Sequence, residues 1–297
     1  MAIPILFTHW GNSDYLKYSL HQARHFNSES EIYLLGDDKN NKYKIAKHFQ
    51  ISDYSKSAIH FEKLYVHLNT TIHKNGVLNW FKRWFIVNDF LSENPHIHSF
   101  ICLDSDVLLY TNVTEEFDNY KQHNLTLCGE RGPQYTFFSS PESLKSFCRY
   151  IESLYADKEL FKILKDKFEH HERMQIPGGV DDMTAFYEYS KKNSTSIGNT
   201  NTIINNATFD HCINAADGFE FNNKLGIKQI YWRGNIPYGK LIQNGEFVRF
   251  KALHFQGTEK SLMHNFYRGN GLGLSKLKSD IYNHLLLPIR KILNPNE

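Results

Sequence analysis

Asp104 and Asp106 stand one residue apart between two apolar runs, Phe100 to Leu103 and Val107 to Tyr110. Carboxylates at that spacing repel each other and are costly to desolvate, so their place in a hydrophobic stretch makes sense if a hard divalent cation such as Mn²⁺ or Mg²⁺ neutralises them. The competing reading is the commoner fate of an isolated Asp-Xaa-Asp, a polar turn with solvated side chains. A second acidic pair, Asp181 and Asp182, follows a Pro-Gly-Gly turn at the head of a helical pattern. An Asp there usually caps the helix, while the glycines before it would let backbone and substrate come close. The third group comes late: His254-Phe-Gln-Gly-Thr-Glu-Lys260 gathers a metal-capable imidazole, a flexible turn at Gly257 and a cation at the end of a strand-like run. A lone His after a strand is most often a satisfied structural residue, so its weight depends on those neighbours.

The elements that must position these groups read as an alternating α/β chain. The stretch Ser99 to Tyr110 reads as a buried strand delivering the two carboxylates to its carboxyl end, its two short apolar runs being of the kind that a sheet covered on both faces produces. Ile3 to Phe7 reads as the first strand, Asn12-Ser13-Asp14 offers caps for a helix through Leu16, Leu20 and Ala23, and Glu31 to Gly36 is the second strand. That unit has the length of a parallel crossover, which predicts a doubly wound, nucleotide-binding type of sheet. Ligands bind beyond the carboxyl ends of such strands, which nominates Thr8, His9, Asn12 and Asp37 as base or ribose contacts. A short helix and strand are expected around Ile45 to Tyr54. Trp80, Trp84, Val87 and Leu91 predict a helix over 79–91 with Lys82 and Arg83 near its start, where cations beside a helix N-terminus suit a diphosphate. Pro141 opens one helical pattern over 141–170, residues 191–217 read as an Asn/Ser/Thr-rich excursion, and 226–233 and 246–255 read as strands.

At 297 residues and 41% hydrophobic, the chain can bury a large core as one domain or one domain with an appendage. Its 34 basic and 32 acidic residues leave a net charge of +2, so no nucleic-acid partner is expected. The 14% aromatic content is mostly core material, although exposed rings would suit a sugar or nucleobase. Trp232 and Arg233 are candidates for an acceptor groove, with burial of the Trp as the alternative. Cys102, Cys128, Cys148 and Cys212 have no Cys-Xaa-Xaa-Cys spacing and read as reduced core residues. The opening Met-Ala-Ile-Pro-Ile-Leu-Phe resembles no signal peptide, and the expected location is cytoplasmic. Leu274 to Leu293 mixes leucines with Lys276, Lys278, Arg290 and Lys291. Such a basic amphipathic tail over 266–297 suits peripheral contact with an anionic membrane, against the alternative of a helix packed on the domain and stopped at Pro288.

Three metal chemistries use an Asp-Xaa-Asp. An EF-hand loop needs an oxygen ligand at position 108 and Gly at 109, where Leu108 and Leu109 stand, so calcium-loop chemistry is excluded. A haloacid-dehalogenase-like phosphatase would make Asp104 a covalent nucleophile, Asp106 the acid/base and Asp181-Asp182 further metal ligands, leaving the strand-helix-strand and the late His-Gly-Lys group without a task. The chain resembles more closely the GT-A glycosyltransferases, within them the family-8-like retaining enzymes. The resemblance rests on residues 5–36, Arg83 on the helix before the acidic strand, Leu103-Asp-Ser-Asp-Val107, and His254-Phe-Gln-Gly-Thr-Glu-Lys260 as the late His-Xaa-Xaa-Gly-Xaa-Xaa-Lys motif. It departs at Ser261-Leu262, where Pro-Trp is usual, and at His9-Trp10, where acidic residues are common.

What the resemblance implies is a GT-A fold, a Rossmann-like, mostly parallel mixed sheet flanked by helices, in a single catalytic domain over 1–265 with a nucleotide-binding half to residue 110 and an acceptor-side half from 111. It implies Mn²⁺ or Mg²⁺ on Asp104, Asp106 and His254, with the Asp104-Ser105-Asp106 turn, Arg83, Gly257 and Lys260 against a UDP-linked donor and Lys260 assisting departure of the diphosphate. The acceptor would be a glycan or other hydroxyl. Asp181 or Asp182 falls where the family carries an acidic residue near the transferred sugar, and either could instead be the base of an inverting reaction. A non-catalytic sugar-nucleotide binder on the same scaffold is a third reading.

Overall fold

Short runs of β-branched, aromatic and leucine residues become strands here wherever the next run supplies a partner, and longer amphipathic runs become helices. The computed structural model describes residues 2–272. Along them run β1 (Ile5–Thr8), α1 (Leu16–Phe26), β2 (Ile32–Gly36), β3 (Lys47–Gln50), α2 (Lys56–Leu64), α3 (Lys74–Glu93), β4 (Phe100–Leu103), β5 (Val107–Leu109), α4 (Val113–Phe117), β6 (Leu125–Leu127), β7 (Tyr135–Phe138), α5 (Pro141–Ala156), α6 (Lys158–Arg173), α7 (Asp182–Lys192), β8 (Ile197–Asn199), β9 (Ala207–Phe209), β10 (Phe221–Asn222), β11 (Ile227–Lys228), β12 (Tyr231–Arg233), β13 (Ile236–Lys240), β14 (Phe247–His254) and α8 (Met263–Phe266). The basic tail from 273 onward lies outside the described residues.

Two compact units interleave along the chain. The first comprises Met1–Gly11, Ser30–Asp104 and Val113–Thr202. It holds a mixed sheet in the order β3-β2-β1-β4-β7-β6-β8, parallel at β1/β2, β1/β4, β2/β3 and β6/β8 and antiparallel at β4/β7 and β6/β7. Every residue of β2, β4, β6 and β7 is buried, as a sheet covered on both faces requires. The covering helices contribute a largely aromatic core in which Phe61 stacks on Phe85, and Phe147 on Phe186 with ring centroids 3.7 Å apart.

The second unit comprises Asn12–Glu29, Ser105–Asn112 and, among the described residues, 203–272. Its spine is β14, antiparallel to β13 and to β5 and parallel to β9, with His254 opposite Val107. Helix α1 packs here: the Ser19 hydroxyl donates to the Val107 carbonyl at 2.6 Å. Leu108, Tyr110, Ile213, Phe250 and Leu253 form its core.

The structure revises several sequence boundaries. The helix expected over 79–91 starts at Lys74, capped by His73, so Lys82 and Arg83 lie in its middle and away from any N-terminal anion site. Lys82 pairs with Glu62 at 2.8 Å instead. The pattern over 141–170 is two helices, because Asp157 accepts hydrogen bonds from Glu159 N and Leu160 N and starts a new one. β8 and β9 interrupt the excursion over 191–217, and β7 completes the sheet without having been anticipated; pairing supplied by neighbouring strands makes strands of segments with little periodicity of their own.

Candidate metal centre

Within the second unit, β14 ends on His254 and the antiparallel ladder brings Asp106 beside it, Phe255 N donating to the Asp106 carbonyl at 2.9 Å. His254 Nδ1 lies 3.0 Å from the His211 carbonyl. A carbonyl only accepts, so this bond assigns a hydrogen to Nδ1, and in the neutral ring Nε2 then keeps its lone pair. Nε2 faces Asp106 Oδ1 at 3.6 Å, and that oxygen is buried and receives no hydrogen bond among the described residues. Two lone pairs turned toward each other in a buried place call for a proton or a cation between them. On the other side of the carboxylate, Lys260 Nζ is 3.0 Å from Oδ2 and 5.4 Å from the centre of the Tyr15 ring. Lys260 is carried by the tight turn Gly257–Leu262, which Gly257 opens with φ +66°, a left-handed conformation suited to glycine.

Within the first unit, β4 runs straight into Asp104, whose N–H donates to the Gln134 carbonyl at 2.9 Å. Arg83, projecting from α3, donates from Nη1 to Asp104 and from Nη2 to Asp182 Oδ2 at 2.7 Å. Trp84 Nε1 donates to the same Asp182 oxygen at 3.0 Å. Burial disfavours the Arg83 cation, but the two carboxylates more than offset this and raise its pKa above the ordinary value. Asp182 is 3% exposed. Burial raises its carboxyl pKa, with Arg83 pulling the other way. Asp181 caps α7: its carboxylate accepts from Thr184 N at 2.9 Å, and the Thr184 hydroxyl answers in a capping box. Leu6, Thr8, Arg83, Cys102 and Asp104 line a small recess at the ends of β1 and β4.

The other nominated positions have local tasks. His9 is buried, its N–H donating to the Leu35 carbonyl at 2.9 Å. Asp37 accepts from Gly11 N at 2.7 Å and Lys39 N at 3.0 Å. Asn12 is exposed, and Ser105 is half-buried between the two aspartates. Trp232 is half-buried, with the Arg268 guanidinium 3.8 Å from its ring centre. Sequence reasoning passed over Asn40, which is fully buried and donates to the carbonyls of His9 (2.8 Å) and Gly11 (2.9 Å) while accepting from Asp37 N (3.1 Å) and His48 Nε2 (2.9 Å). It also passed over Lys228 and Asp210, a buried ion pair behind His254, with the exposed Asp217 as their third member. An Asn in a turn and a Lys in a weak strand carry no distinguishing signal; their burial is a tertiary fact.

Asp106 and His254, both in the second unit, are a candidate carboxylate-imidazole pair for a metal ion. Oxygen and imidazole donors suit Mn²⁺ or Mg²⁺. The unsatisfied Asp106 Oδ1 and the Nε2 lone pair fit such an ion, and an imidazole that donates its other N–H to a backbone carbonyl has the usual outer support of a metal ligand.

No family model matches the sequence, and no curated protein matches it. Solved structures do resemble the chain. Mouse xyloside xylosyltransferase 1 in its apo form is 10% identical at a TM-score of 0.47, over 70% of this chain and 88% of that one. A glycosyltransferase involved in the glycosylation of the major capsid of PBCV-1 is 12% identical at 0.45, over 89% and 100%. The galactosyltransferase LgtC in complex with donor and acceptor sugar analogs is 11% identical at 0.47, over 89% and 95%.

Proposed function

We propose that this chain is a metal-dependent glycosyltransferase of the GT-A kind, moving a sugar from a nucleoside-diphosphate donor, UDP-linked, to a hydroxyl of a glycan. The observation that carries the reading is the approach of His254 Nε2 to the buried Asp106 Oδ1 at 3.6 Å, an oxygen that receives no hydrogen bond among the described residues, with Lys260 on the opposite oxygen. Sequence supports it through Leu103-Asp-Ser-Asp-Val107 and His254-Phe-Gln-Gly-Thr-Glu-Lys260, the motifs that resemble that family.

In this reading Asp104, Asp106 and His254 hold Mn²⁺ or Mg²⁺, which when bound supplies a Lewis acid for the departing diphosphate. Lys260 adds a second positive charge beside it, preorganised by Asp106 rather than recruited from solvent. Arg83 holds Asp104 in one orientation and is itself fixed by Asp182 and by stacking on Trp84, 4.5 Å from the ring centre. The C–O bond to the diphosphate breaks, a C–O bond to the acceptor oxygen forms, and the hydroxyl proton is released with the nucleoside diphosphate.

The test is slow hydrolysis of a panel of nucleotide sugars with and without Mn²⁺, repeated for Asp106→Asn. Loss of a preorganised charge stabiliser costs at least ~3 kcal/mol of barrier, roughly a hundredfold in rate. Hydrolysis of UDP-sugars that needs Mn²⁺ and falls by that factor in the variant supports the reading. Binding without turnover points to a sugar-nucleotide binder, and indifference to nucleotide sugars with cleavage of a simple phosphate ester points to a phosphatase; either result overturns it.

A further inference from the structure

Behind His254 lies an ionic cluster, buried at Lys228 and Asp210 and exposed at Asp217, for which the proposed chemistry has no use. Lys228, 1% exposed at the end of β11, is ion-paired with Asp210, Nζ to Oδ1 2.8 Å, and donates to Asp217 Oδ2 at 2.7 Å and the Cys212 carbonyl at 2.6 Å. Taking such charges out of water costs several kcal/mol per ion, and apolar packing would fill the same volume without that penalty. The cluster therefore calls for another role than stability.

Its position names one. Asp210, buried at 1% exposure, turns its second oxygen to the backbone N–H of His254 at 3.3 Å. Ile213 N donates to the His254 carbonyl at 2.9 Å, and Lys228 N donates to the Ile213 carbonyl at 2.7 Å. Between these anchors sits His211, whose carbonyl, 3.0 Å from His254 Nδ1, decides which ring nitrogen carries the hydrogen. Lys228 thus grips the segment 210–213 at both a side chain and a carbonyl, immediately before and after the residue that orients the imidazole.

We propose that Lys228, clamped between Asp210 and Asp217, is a positioning residue for the metal centre: it fixes the 210–213 segment so that the His211 carbonyl locks His254 in the Nδ1–H tautomer with Nε2 turned toward Asp106. The link to a metal rests on the function proposed above, whereas the effect on the ring does not.

Two measurements keep these apart. The first is the ¹⁵N shifts and long-range couplings of the His254 ring in metal-free protein at pH 8, assigned against His254→Gln. The second is Mn²⁺ affinity by electron paramagnetic resonance titration. Wild type shows the Nδ1–H tautomer. Lys228→Met shows a mixture and binds Mn²⁺ about 10–100-fold more weakly, the range for loss of an outer support. Asp217→Asn removes the part-exposed arm of the clamp together with the His211 Nδ1 contact at 3.6 Å, both of which hold the same segment, and shifts both readouts the same way by less; it carries the test where Lys228→Met fails to fold. A folded variant with wild-type ring signals and Mn²⁺ affinity within twofold overturns the proposal. Tautomer mixing in a protein that binds no Mn²⁺ even as wild type leaves the clamp standing and removes the metal.

Discussion

Arg83→Met separates the electrostatic account of the first unit from a merely steric one. Arg83 makes charge-assisted hydrogen bonds to Asp104 and Asp182, and such bonds contribute about 1.5–3 kcal/mol each. The Asp104 side chain is 24% exposed and regains water when the guanidinium is removed; Asp182, at 5%, does not. The loss therefore concentrates on Asp182, left as a buried carboxylate with only the Trp84 N–H, and the penalty is about 3 kcal/mol at neutral pH. For a chain of this size that lowers the melting temperature by about 6–10 °C. The pH dependence has a definite sign. Burial already raises the Asp182 carboxyl and Arg83 holds it down, so the variant raises it further. A carboxyl whose pKa is higher folded than unfolded costs stability as pH rises through the folded value, so the penalty is largest at pH 7.5 and shrinks toward pH 5. Asp182→Asn removes the stranded charge and should restore much of the loss when added to Arg83→Met, a coupling of at least about 1 kcal/mol. Thermal and urea melts by circular dichroism at both pH values read all of this. A loss below about 1 kcal/mol, an equal loss at the two pH values, or simple additivity with Asp182→Asn refutes the reasoning.

Two further outcomes follow from other parts of the fold. Gly179 has φ +147°, and a Cβ placed there would meet the Leu68 carbonyl oxygen at 2.4 Å, so Gly179→Ala should lower stability by about 1–3 kcal/mol in a urea melt; an unchanged midpoint would mean that the Leu68 to Val180 pairing is not formed. His211, and after it Lys228, hold the Asp217 carboxyl at about 2, against an ordinary value of 3.8 and against the opposing effect of burial. A carboxyl depressed in the folded state contributes its stability above the ordinary value and loses it as pH falls toward the folded one, so the difference in melting temperature between wild type and Asp217→Asn should narrow between pH 4 and 2. Parallel curves across that window would rule out the ion pairs as drawn.

Much of the architecture is already written in local chemistry. Apolar runs such as Phe100 to Leu103 and Ile32 to Gly36 read as buried strands and are buried strands, and Asp181 after Pro-Gly-Gly stands where an Asp commonly caps a helix and does so. The residue types of the candidate site are legible for the same reason: carboxylates and an imidazole next to hydrophobic strands are conspicuous. What one-dimensional order could not hold is which groups face each other and with which atoms. That α1 packs on β5, that Arg83 is spanned by Asp104 and Asp182, that Asn40 ties down the loop after β1, and that Lys228 stands behind His254 all depend on contacts between segments distant in the chain. Charge, tautomer and burial at a site are properties of such contacts, because a hydrogen bond or an ion pair takes its strength from the geometry and dielectric around it; the sequence determines which chemistries are available, and the tertiary structure decides which of them these side chains can perform.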